Sequence, residues 1–259
     1  MLLSGRVAIV SGIGPGMGRD ISVALAREGA HVVLAARSPG NLEPVVKDVE
    51  ALGRKAVAVA TDISKAEDCR HLVDTAIQEL GRVDILVNNA FKGGVEPRIE
   101  ETTMEQWREI FDVNVFGSMQ LSQLVLPHMM AQGGGSIVFI NSMSTRIIEA
   151  GMGGYTASKG ALMLAAQTLA KEVGKYKIRV NSVVPGYIWS DKLAGYFRYL
   201  AKQQNTTYEA VHAEISSRTA LNHIPTSEEI ADAVLFFASD LSRAITGQAL
   251  DVNGGHFFH

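Results

Sequence analysis

Short apolar runs, many of them β-branched, alternate with longer amphipathic stretches along the chain, and this alternation constrains the fold most. The runs are Val7–Val10, His31–Leu34, Ala56–Val59, Val83–Val87, Ser136–Ile140, Ile178–Val183 and Ala249–Val252. Near-continuous apolar character over so few residues is typical of strands that are covered on both faces. Strands that alternate with helices predict a parallel sheet between two helical layers. We therefore predict a single doubly wound α/β domain over residues 1–259, with about seven parallel strands and helices on both faces.

Helix start signals support this pattern, and one region departs from it. Ser64 followed by Glu67, and Thr226 followed by Glu229, match the capping box that begins a helix. Residues from about 187 to 222 contain no strand pattern but two helix-like pieces that are rich in aromatic side chains. A long insertion after a strand is where an α/β fold builds a lid over its ligand. We predict that this region forms a substrate lid.

The composition argues against several kinds of partner. With 24 basic and 27 acidic residues and a formal net charge of -3, the chain gives no reason to expect nucleic acid or an anionic membrane. Its single cysteine, Cys69, allows no internal disulfide, and no histidine cluster indicates a metal site. The first apolar run is too short for a signal peptide or a membrane span. We expect a cytoplasmic protein that acts on a small molecule.

A glycine-rich segment joins the first predicted strand to the first predicted helix. It reads Ser11-Gly12-Ile13-Gly14-Pro15-Gly16-Met17-Gly18, and a helical pattern follows it. Glycine lets backbone amides approach a pyrophosphate, which then lies at the positive end of the helix dipole. In this strand–loop–helix context the segment favours dinucleotide binding over a plain tight turn.

Tyr155 and Lys159 are four residues apart and form a candidate acid–base pair. If this segment is helical, both side chains leave the same face. A lysine ammonium favours the phenolate of a neighbouring tyrosine, whose pKa is otherwise about 10. Such a tyrosine can donate or accept a proton near neutral pH. Taken alone, the pair also fits a solvated helix face, because this spacing arises easily by chance.

Six motifs, in order and at matching separations, resemble the short-chain dehydrogenase/reductase family over essentially the whole chain. The glycine segment is similar to that family's T-G-x-x-x-G-x-G, with Ser11 in place of threonine. The other motifs are Asn88-Asn89-Ala90, Asn114, Ser142, Tyr155 with Lys159, and Pro185-Gly186 with Ser190. The resemblance implies a Rossmann-type fold and an enzyme that transfers a hydride between NAD(P)(H) and a secondary alcohol or ketone.

The resemblance also implies a role for each matching residue. Tyr155 would exchange a proton with the substrate, Lys159 would lower the tyrosine pKa and hold the nicotinamide ribose, and Ser142 would bind the substrate oxygen. Asn114 would keep a water in a proton relay. Ser144 offers a second hydroxyl, but the spacing favours Ser142. The implied cofactor-binding residues are Ser11, Gly12, Gly16, Met17, Gly18, Arg37, Asp62, Ile63, Asn89, Ala90, Tyr155, Lys159, Pro185, Gly186, Ile188 and Ser190.

The end of the second strand bears on which nicotinamide cofactor is used. Ala36 occupies the position where NAD-dependent relatives carry an aspartate, and Arg37 beside it could pair with a 2′-phosphate. Pro15 argues the other way, because many NADP-dependent relatives have a basic residue there. We expect NADP(H) to be favoured and NAD(H) to be possible. Asp62 resembles an adenine-contacting aspartate of the family, although a simple turn explains it nearly as well.

The predicted substrate pocket is apolar. Its expected wall consists of Phe91, Met143, Met152, Tyr187, Trp189 and Phe197. Methionine and aromatic side chains form an adaptable apolar surface, which favours a hydrophobic, ring-containing substrate of a steroid-like or alicyclic kind. The alternative is a 3-oxoacyl substrate. Phe91 replaces the family's glycine after Asn-Asn-Ala, and it could either crowd the cofactor loop or face the substrate.

Other functions and the assembly are also weighed. A cofactor-binding sensor or scaffold without catalysis would be expected to lack Tyr155 or Lys159, and both are present. An enoyl reductase is a third possibility, although relatives with that activity usually space the tyrosine and lysine more widely. The family resemblance further implies a homotetramer or a dimer built on two long helices, near residues 105–130 and 155–175.

Overall fold

The computed structural model describes residues 1–93 and 96–258, within which seven strands form one parallel sheet. Gly94, Val95 and His259 of the predicted domain lie outside the described residues. The strands are β1 Val7–Ser11, β2 His31–Ala36, β3 Ala56–Ala60, β4 Ile85–Asn88, β5 Gly135–Ile140, β6 Ile178–Pro185 and β7 Ala249–Val252. Their order is β3-β2-β1-β4-β5-β6-β7, and every neighbouring pair is parallel. The order switches direction between β1 and β4, where open α/β sheets bind ligands.

Helices cover both faces of this sheet. They are α1 Met17–Arg27, α2 Leu42–Ala51, α3 Ala66–Leu80, α4 Met104–Phe111, α5 Ser118–Ala131, α6 Gly153–Val173, α7 Asp191–Gln203, α8 Tyr208–Ser217 and α9 Ser227–Ala238. A π-helical segment, Asp112–Gly117, joins α4 to α5. In residues 1–93 and 96–258, no helix combines the length and the apolarity needed to cross a bilayer.

Successive residues of each strand supply two separate apolar cores. Ala8 and Val10 of β1 belong to the core that contains residues of α1, α2 and α9, whereas Val7 and Ile9 belong to the core that contains residues of α3, α5 and α6. This is why the strands are apolar at nearly every position, since neighbouring side chains point to opposite faces. The predicted doubly wound α/β fold is confirmed.

The two predicted capping boxes have different outcomes. Thr226 begins α9, and both hydrogen bonds of the capping box with Glu229 are present. The prediction for Ser64 is wrong, because α3 begins after Lys65. The Ser64 hydroxyl instead donates to Oδ1 of Asp62 at 2.7 Å. A serine that finds a local acceptor of this kind favours a turn over a helix cap.

The region predicted as a lid contains α7 and α8. These two helices share a small apolar core of their own, formed by Phe197, Ala201, Val211, Ile215 and Ile224. Phe197 is fully buried in this core and packs its ring against Trp189 at a centroid distance of 6.0 Å. The prediction that Phe197 lines the substrate pocket is therefore corrected, because its ring packs in the core between α7 and α8.

Large apolar side chains remain exposed on the helices of the predicted assembly. Phe116, between α4 and α5, is 58% exposed, and Leu164 on α6 is 67% exposed. These surfaces lie on the two long helices from which a homo-oligomer is expected. The oligomer itself stays a prediction.

Candidate active site

A cleft of about 510 Å³ lies at the carboxyl ends of β1, β2 and β4. Most of the predicted cofactor residues lie in its wall, namely Gly12, Gly16, Met17, Gly18, Arg37, Asp62, Ile63, Asn89, Ala90, Ile188 and Ser190. The sequence prediction missed other residues of the wall, among them Asn41, Thr61, Lys92, Val113 and Ser227. These residues come from helix starts, from the segments after β3 and β4 and from the π-helical segment, none of which carries a motif at these positions. The topology thus brings most of the predicted set together at the switch point.

Ser11 and Pro185 do not reach this wall. Ser11 is fully buried behind the glycine loop, and its hydroxyl accepts hydrogen bonds from the backbone N–H groups of Asn89 at 3.3 Å and Ala90 at 3.4 Å. Pro185 is the buried last residue of β6, and Gly186 after it lines a separate, smaller pocket. Ser11 therefore ties β1 to the segment after β4 and shapes the cleft from behind.

The glycine loop has the form of a cradle for a phosphate. A side chain at Gly18 would clash with the carbonyl of Gly12, and one at Gly12 would clash with the backbone of Ala90. Close packing therefore requires both glycines. Around Gly14 and Gly16, in contrast, an added Cβ would meet no atom within 4 Å, so these glycines leave the loop backbone open to the cleft. Such a loop before α1 fits the pyrophosphate of a dinucleotide.

Asn89 offers a further indication that the cleft is built for a polar ligand. Its Nδ2 donates to the carbonyl of Gly12 at 2.8 Å. Its Oδ1 is buried and has no hydrogen-bond partner among the described residues. Buried polar atoms are normally satisfied, so an unpaired acceptor beside the cleft fits a bound donor. The residues present thus fit a nicotinamide dinucleotide.

Asp62 and Arg37 face the same end of the cleft. The Asp62 carboxylate accepts hydrogen bonds from the N–H of Ser64 at 3.1 Å and from its hydroxyl at 2.7 Å. Burial acts to raise the Asp62 pKa, but these bonds and the charges of Arg37 and Lys65 together lower it. Asp62 therefore forms a turn and lines the cleft at once, so the two alternatives for this residue are compatible. Arg37 is exposed directly after Ala36, the last residue of β2.

A second pocket, of about 270 Å³, contains Tyr155. Its wall consists of Phe91, Gly93, Ser142, Met143, Ser144, Ile147, Glu149, Met152, Tyr155, Gly186 and Tyr187. Phe91 lines both this pocket and the larger cleft, so the two adjoin. Trp189, which was predicted for the substrate pocket, lines the larger cleft instead. The sequence prediction missed Gly93, Ile147 and Glu149, which belong to irregular segments.

Tyr155 lies in the first turn of α6, and its phenol is near enough to Ser142 for the serine to act on the tyrosine pKa. Ser142 follows β5 and precedes a short helical turn, where its Oγ accepts from the N–H of Ser144 at 3.1 Å. Burial raises the pKa of Tyr155, and the interaction with Ser142 acts in the opposite direction. The pair therefore presents a neutral phenol next to a hydroxyl on the pocket wall.

Lys159 lies one turn after Tyr155 and is completely buried. Its Nζ donates to the carbonyl of Ile140 at 2.6 Å and is 5.8 Å from the centroid of the tyrosine ring. Burial lowers the pKa of Lys159 to about 7. The expected lowering of the Tyr155 pKa by a lysine charge is not found in this structure, because burial favours the neutral form of both groups.

Asn114 connects three parts of the site. It is fully buried in the π-helical segment. Its Nδ2 donates to the carbonyl of Lys92 at 2.8 Å and to Oγ of Ser158 at 2.9 Å, and its Oδ1 accepts from the N–H of Lys92 at 2.7 Å. The side chain therefore fixes the segment after β4 to α6. Its predicted part in a water relay stays a prediction.

The segment after β4 packs directly on the tyrosine ring. The ring of Phe91 meets that of Tyr155 edge-on at a centroid distance of 6.3 Å. A side chain at Gly93 would clash with the Tyr155 ring, so only glycine allows this approach. Phe91 is 58% exposed and lines both pockets, so it lies at the boundary between the larger cleft and the pocket that contains Tyr155.

A doubly wound sheet with a glycine cradle at its switch point, beside a half-buried Tyr–Ser pair, defines a nicotinamide-dependent oxidoreductase. A family model described as Enoyl-(Acyl carrier protein) reductase matches residues 12–256. The chain is 34% identical over 253 residues to 7alpha-hydroxysteroid dehydrogenase of Escherichia coli, covering 98% of this chain and 94% of that protein. It is 32% identical over 262 residues to 3-oxoacyl-[acyl-carrier-protein] reductase FabG of Thermotoga maritima, covering 98% and 99%.

A solved structure agrees closely with the whole fold. The 7 alpha-hydroxysteroid dehydrogenase complexed with NADH and 7-oxo glycochenodeoxycholic acid has a TM-score of 0.88 and 35% sequence identity, covering 98% of this chain and 94% of that one. The chain belongs to the short-chain dehydrogenase/reductase family. It is an oxidoreductase of the group that acts on alcohols and ketones with NAD(P)(H).

Proposed function

We propose that the chain interconverts a secondary alcohol and the corresponding ketone on a hydrophobic, ring-containing substrate. The observation that carries this proposal is the Tyr155–Ser142 pair in the wall of a largely apolar pocket beside the cofactor cleft. Met143, Ile147 and Met152 supply apolar side chains to that wall, and such walls suit compact hydrophobic ligands. The similarity to a hydroxysteroid dehydrogenase supports a ring-containing substrate.

Tyr155 and Ser142 both act on the reacting oxygen of the substrate. Ser142 donates a hydrogen bond to the carbonyl oxygen, and Tyr155 gives its phenolic proton to that oxygen as the carbonyl carbon receives the hydride. The bound nicotinamide supplies the hydride in reduction and accepts it in oxidation. Because burial keeps Tyr155 protonated, the resting site is prepared for reduction. Oxidation requires the phenol to lose its proton first, which favours higher pH.

Lys159 and Asn114 act from behind the tyrosine. We assign Lys159 a place on the path by which the phenol exchanges its proton, since its pKa of about 7 lets the side chain gain or lose a proton near neutrality. Asn114 holds Lys92 and Ser158 and so keeps the segment after β4 and α6 in a fixed relation. Both residues therefore maintain the site without forming its wall.

A substrate panel tests the proposed class. We expect kcat/KM for cyclic secondary alcohols and ketones, such as hydroxysteroids and decalones, to exceed that for a linear 3-oxoacyl thioester by roughly tenfold or more. Equal or better use of the 3-oxoacyl thioester would contradict a ring-containing substrate. It would favour the activity named for the Thermotoga maritima relative, 3-oxoacyl-[acyl-carrier-protein] reductase. An enoyl thioester belongs in the panel, because the matching family model carries that description.

We propose further that residues 187–222 close over the substrate and that NADP(H) is the favoured cofactor. The start of α7 already contributes Ser190, Asp191 and Lys192 to the cleft wall.

For the cofactor, β2 ends in Ala36 rather than in a carboxylate, and the exposed Arg37 follows it in the wall. A guanidinium there suits a 2′-phosphate. The similar hydroxysteroid dehydrogenase was solved with NADH rather than NADPH, so binding of the two cofactors to this chain must be compared directly.

Arg37→Ala separates the two cofactors. We expect its Kd for NADPH to rise about tenfold while its Kd for NADH changes by less than about twofold, since only the 2′-phosphate needs the charge. Fluorescence titration of the nicotinamide measures both constants. Arg70→Ala, which removes an exposed arginine of α3 outside the cleft, is the matched control. Equal weakening of NADPH and NADH in Arg37→Ala would contradict the NADP(H) preference.

A further inference from the structure

Glu96 contacts the start of the helix that carries Tyr155 in two ways. Its carboxylate accepts hydrogen bonds from the backbone N–H of Gly154 at 2.9 Å and of Tyr155 at 3.1 Å. Its own backbone N–H donates to the carbonyl of Gly151 at 2.8 Å. The side chain is half-buried, so these bonds are partly shielded from water. A residue far away in the sequence is thus bound to the first turn of α6 by both its side chain and its main chain.

The first turn of α6 needs such an acceptor. The first N–H groups of a helix have no acceptor within the helix, and Met152, which precedes α6, has no side-chain oxygen to offer. The first turn itself contains no acidic residue. A carboxylate at this place satisfies two N–H groups and complements the positive end of the helix dipole. Glu96 therefore supplies the cap that the sequence of α6 lacks.

The same segment also holds the ring of Tyr155. Phe91 packs edge-on against it, and the backbone at Gly93 approaches it so closely that a Cβ is excluded. Lys92 between them is fixed by two hydrogen bonds to Asn114. The ring and the main chain of Tyr155 are thus both set by the segment after β4.

We propose that Glu96 is a positioning residue that holds Tyr155 in its reacting geometry by capping α6. This inference rests on the proposed function, in which Tyr155 exchanges a proton with the substrate. Loss of the cap frees the first turn of α6 to move relative to Ser142 and the pocket. Displacements of about 1 Å in such a site reduce rates by up to about a hundredfold.

The charge of Glu96 gives the proposal a second, distinct consequence. Burial is the larger cause that raises the pKa of Tyr155, and the negative charge of Glu96 raises it further because it disfavours the phenolate. The other ionisable groups in the described elements around the phenol are Lys159, one turn further along α6, and Glu149 and Tyr187, which line the same pocket. Glu96→Gln removes one negative charge and leaves those three in place, so the pKa of Tyr155 falls.

Four variants and two measurements, NMR titration and enzyme kinetics, test the proposal. NMR of the protein labelled with ¹³C at the tyrosine ring follows each phenol with pH, and the Tyr155 signal is the one that Tyr155→Phe lacks. We expect Glu96→Gln to lower the titration midpoint of Tyr155, which is the pH at which half of the phenol is deprotonated. We also expect the pH profile of kcat for alcohol oxidation to move to lower pH. We expect Glu96→Ala to lower kcat by about ten- to a hundredfold, with a smaller change in KM. Glu100→Gln removes an exposed carboxylate that is paired with Arg98 at 3.0 Å. This control variant should change neither the Tyr155 titration midpoint nor kcat.

The outcomes separate this inference from the proposed function. An unchanged Tyr155 midpoint in Glu96→Gln, or an unchanged kcat in Glu96→Ala, would overturn the role of Glu96. If Glu96→Ala does not fold, the midpoint and pH profile of Glu96→Gln decide alone. Full turnover in Tyr155→Phe would instead overturn the proposed function, while the shift of the Tyr155 midpoint in Glu96→Gln would persist.

Discussion

Tyr155→Phe is expected to lower kcat by about a thousandfold or more while the Kd for the cofactor stays unchanged. Positioned proton transfer contributes on the order of 10²–10⁴ to enzymatic rates, and phenylalanine removes the only proton that this side chain can exchange. The ring itself remains, so its contacts with Phe91 and Gly93 are kept. The interaction of the phenol with Ser142 is lost with the hydroxyl. The variant thus removes the chemistry and preserves the packing.

Stopped-flow single turnovers with saturating cofactor measure this loss, and fluorescence titration measures the cofactor Kd. Tyr176→Phe is the matched control, because Tyr176 follows α6 and is 39% exposed, away from both pockets. Turnover of Tyr155→Phe within about tenfold of the native rate would contradict the assignment. A native chain that binds cofactor tightly but turns over no member of a broad alcohol panel would favour the sensor or scaffold alternative.

The fold could be predicted from the sequence because a strand that is buried on both faces is apolar at consecutive positions. In β1, Val7 and Ile9 enter one core and Ala8 and Val10 enter the other, so all four of these positions must be apolar. The glycine loop is equally local, because Gly12 and Gly18 meet each other across a few residues. Patterns formed by residues that are close in sequence can be interpreted without knowing which distant segments pack against them.

The remaining features of the site depend on contacts between distant segments. Glu96 caps a helix that begins 57 residues later in the numbering, and neither segment alone predicts the other. Phe197 lies on the amphipathic helix α7, whose apolar face could have lined the pocket but packs in the small core that α7 shares with α8. The pKa of Lys159 is lowered because the surrounding fold excludes water. Each of these properties is created only by tertiary packing.

The assembled site therefore differs from its motifs in one physical respect. The motifs place a lysine near a tyrosine, which by itself predicts a stabilised phenolate. Burial in the folded chain raises the pKa of Tyr155 and lowers that of Lys159, so both groups favour their neutral forms. The dominant electrostatic effect on the pair is desolvation rather than the attraction between its two members.

Lys159→Met is expected to lower kcat by roughly a hundredfold and, at the same time, to raise the stability of the fold near neutral pH. The activity falls because the proton path behind Tyr155 loses a titratable group. Methionine has a similar length but no charge, so the cost of burying an ammonium disappears. The lost hydrogen bond to the carbonyl of Ile140 offsets part of this gain.

The pH dependence of stability gives the sharpest test of this prediction. Below pH 7, Lys159 is charged in both the folded and the unfolded chain, and the full burial cost is present. Between its folded pKa of about 7 and its ordinary value of 10.5, the unfolded chain binds more protons, so the native stability rises with pH. Lys159→Met lacks this rise, and its advantage over the native chain should shrink by about 2 to 3 kcal/mol between pH 6 and pH 9. Chemical denaturation at both pH values measures the difference, with Lys171→Met, an exposed lysine of the same helix, as the control. A constant difference between Lys159→Met and the native chain across that range would show that Lys159 keeps its proton in the fold.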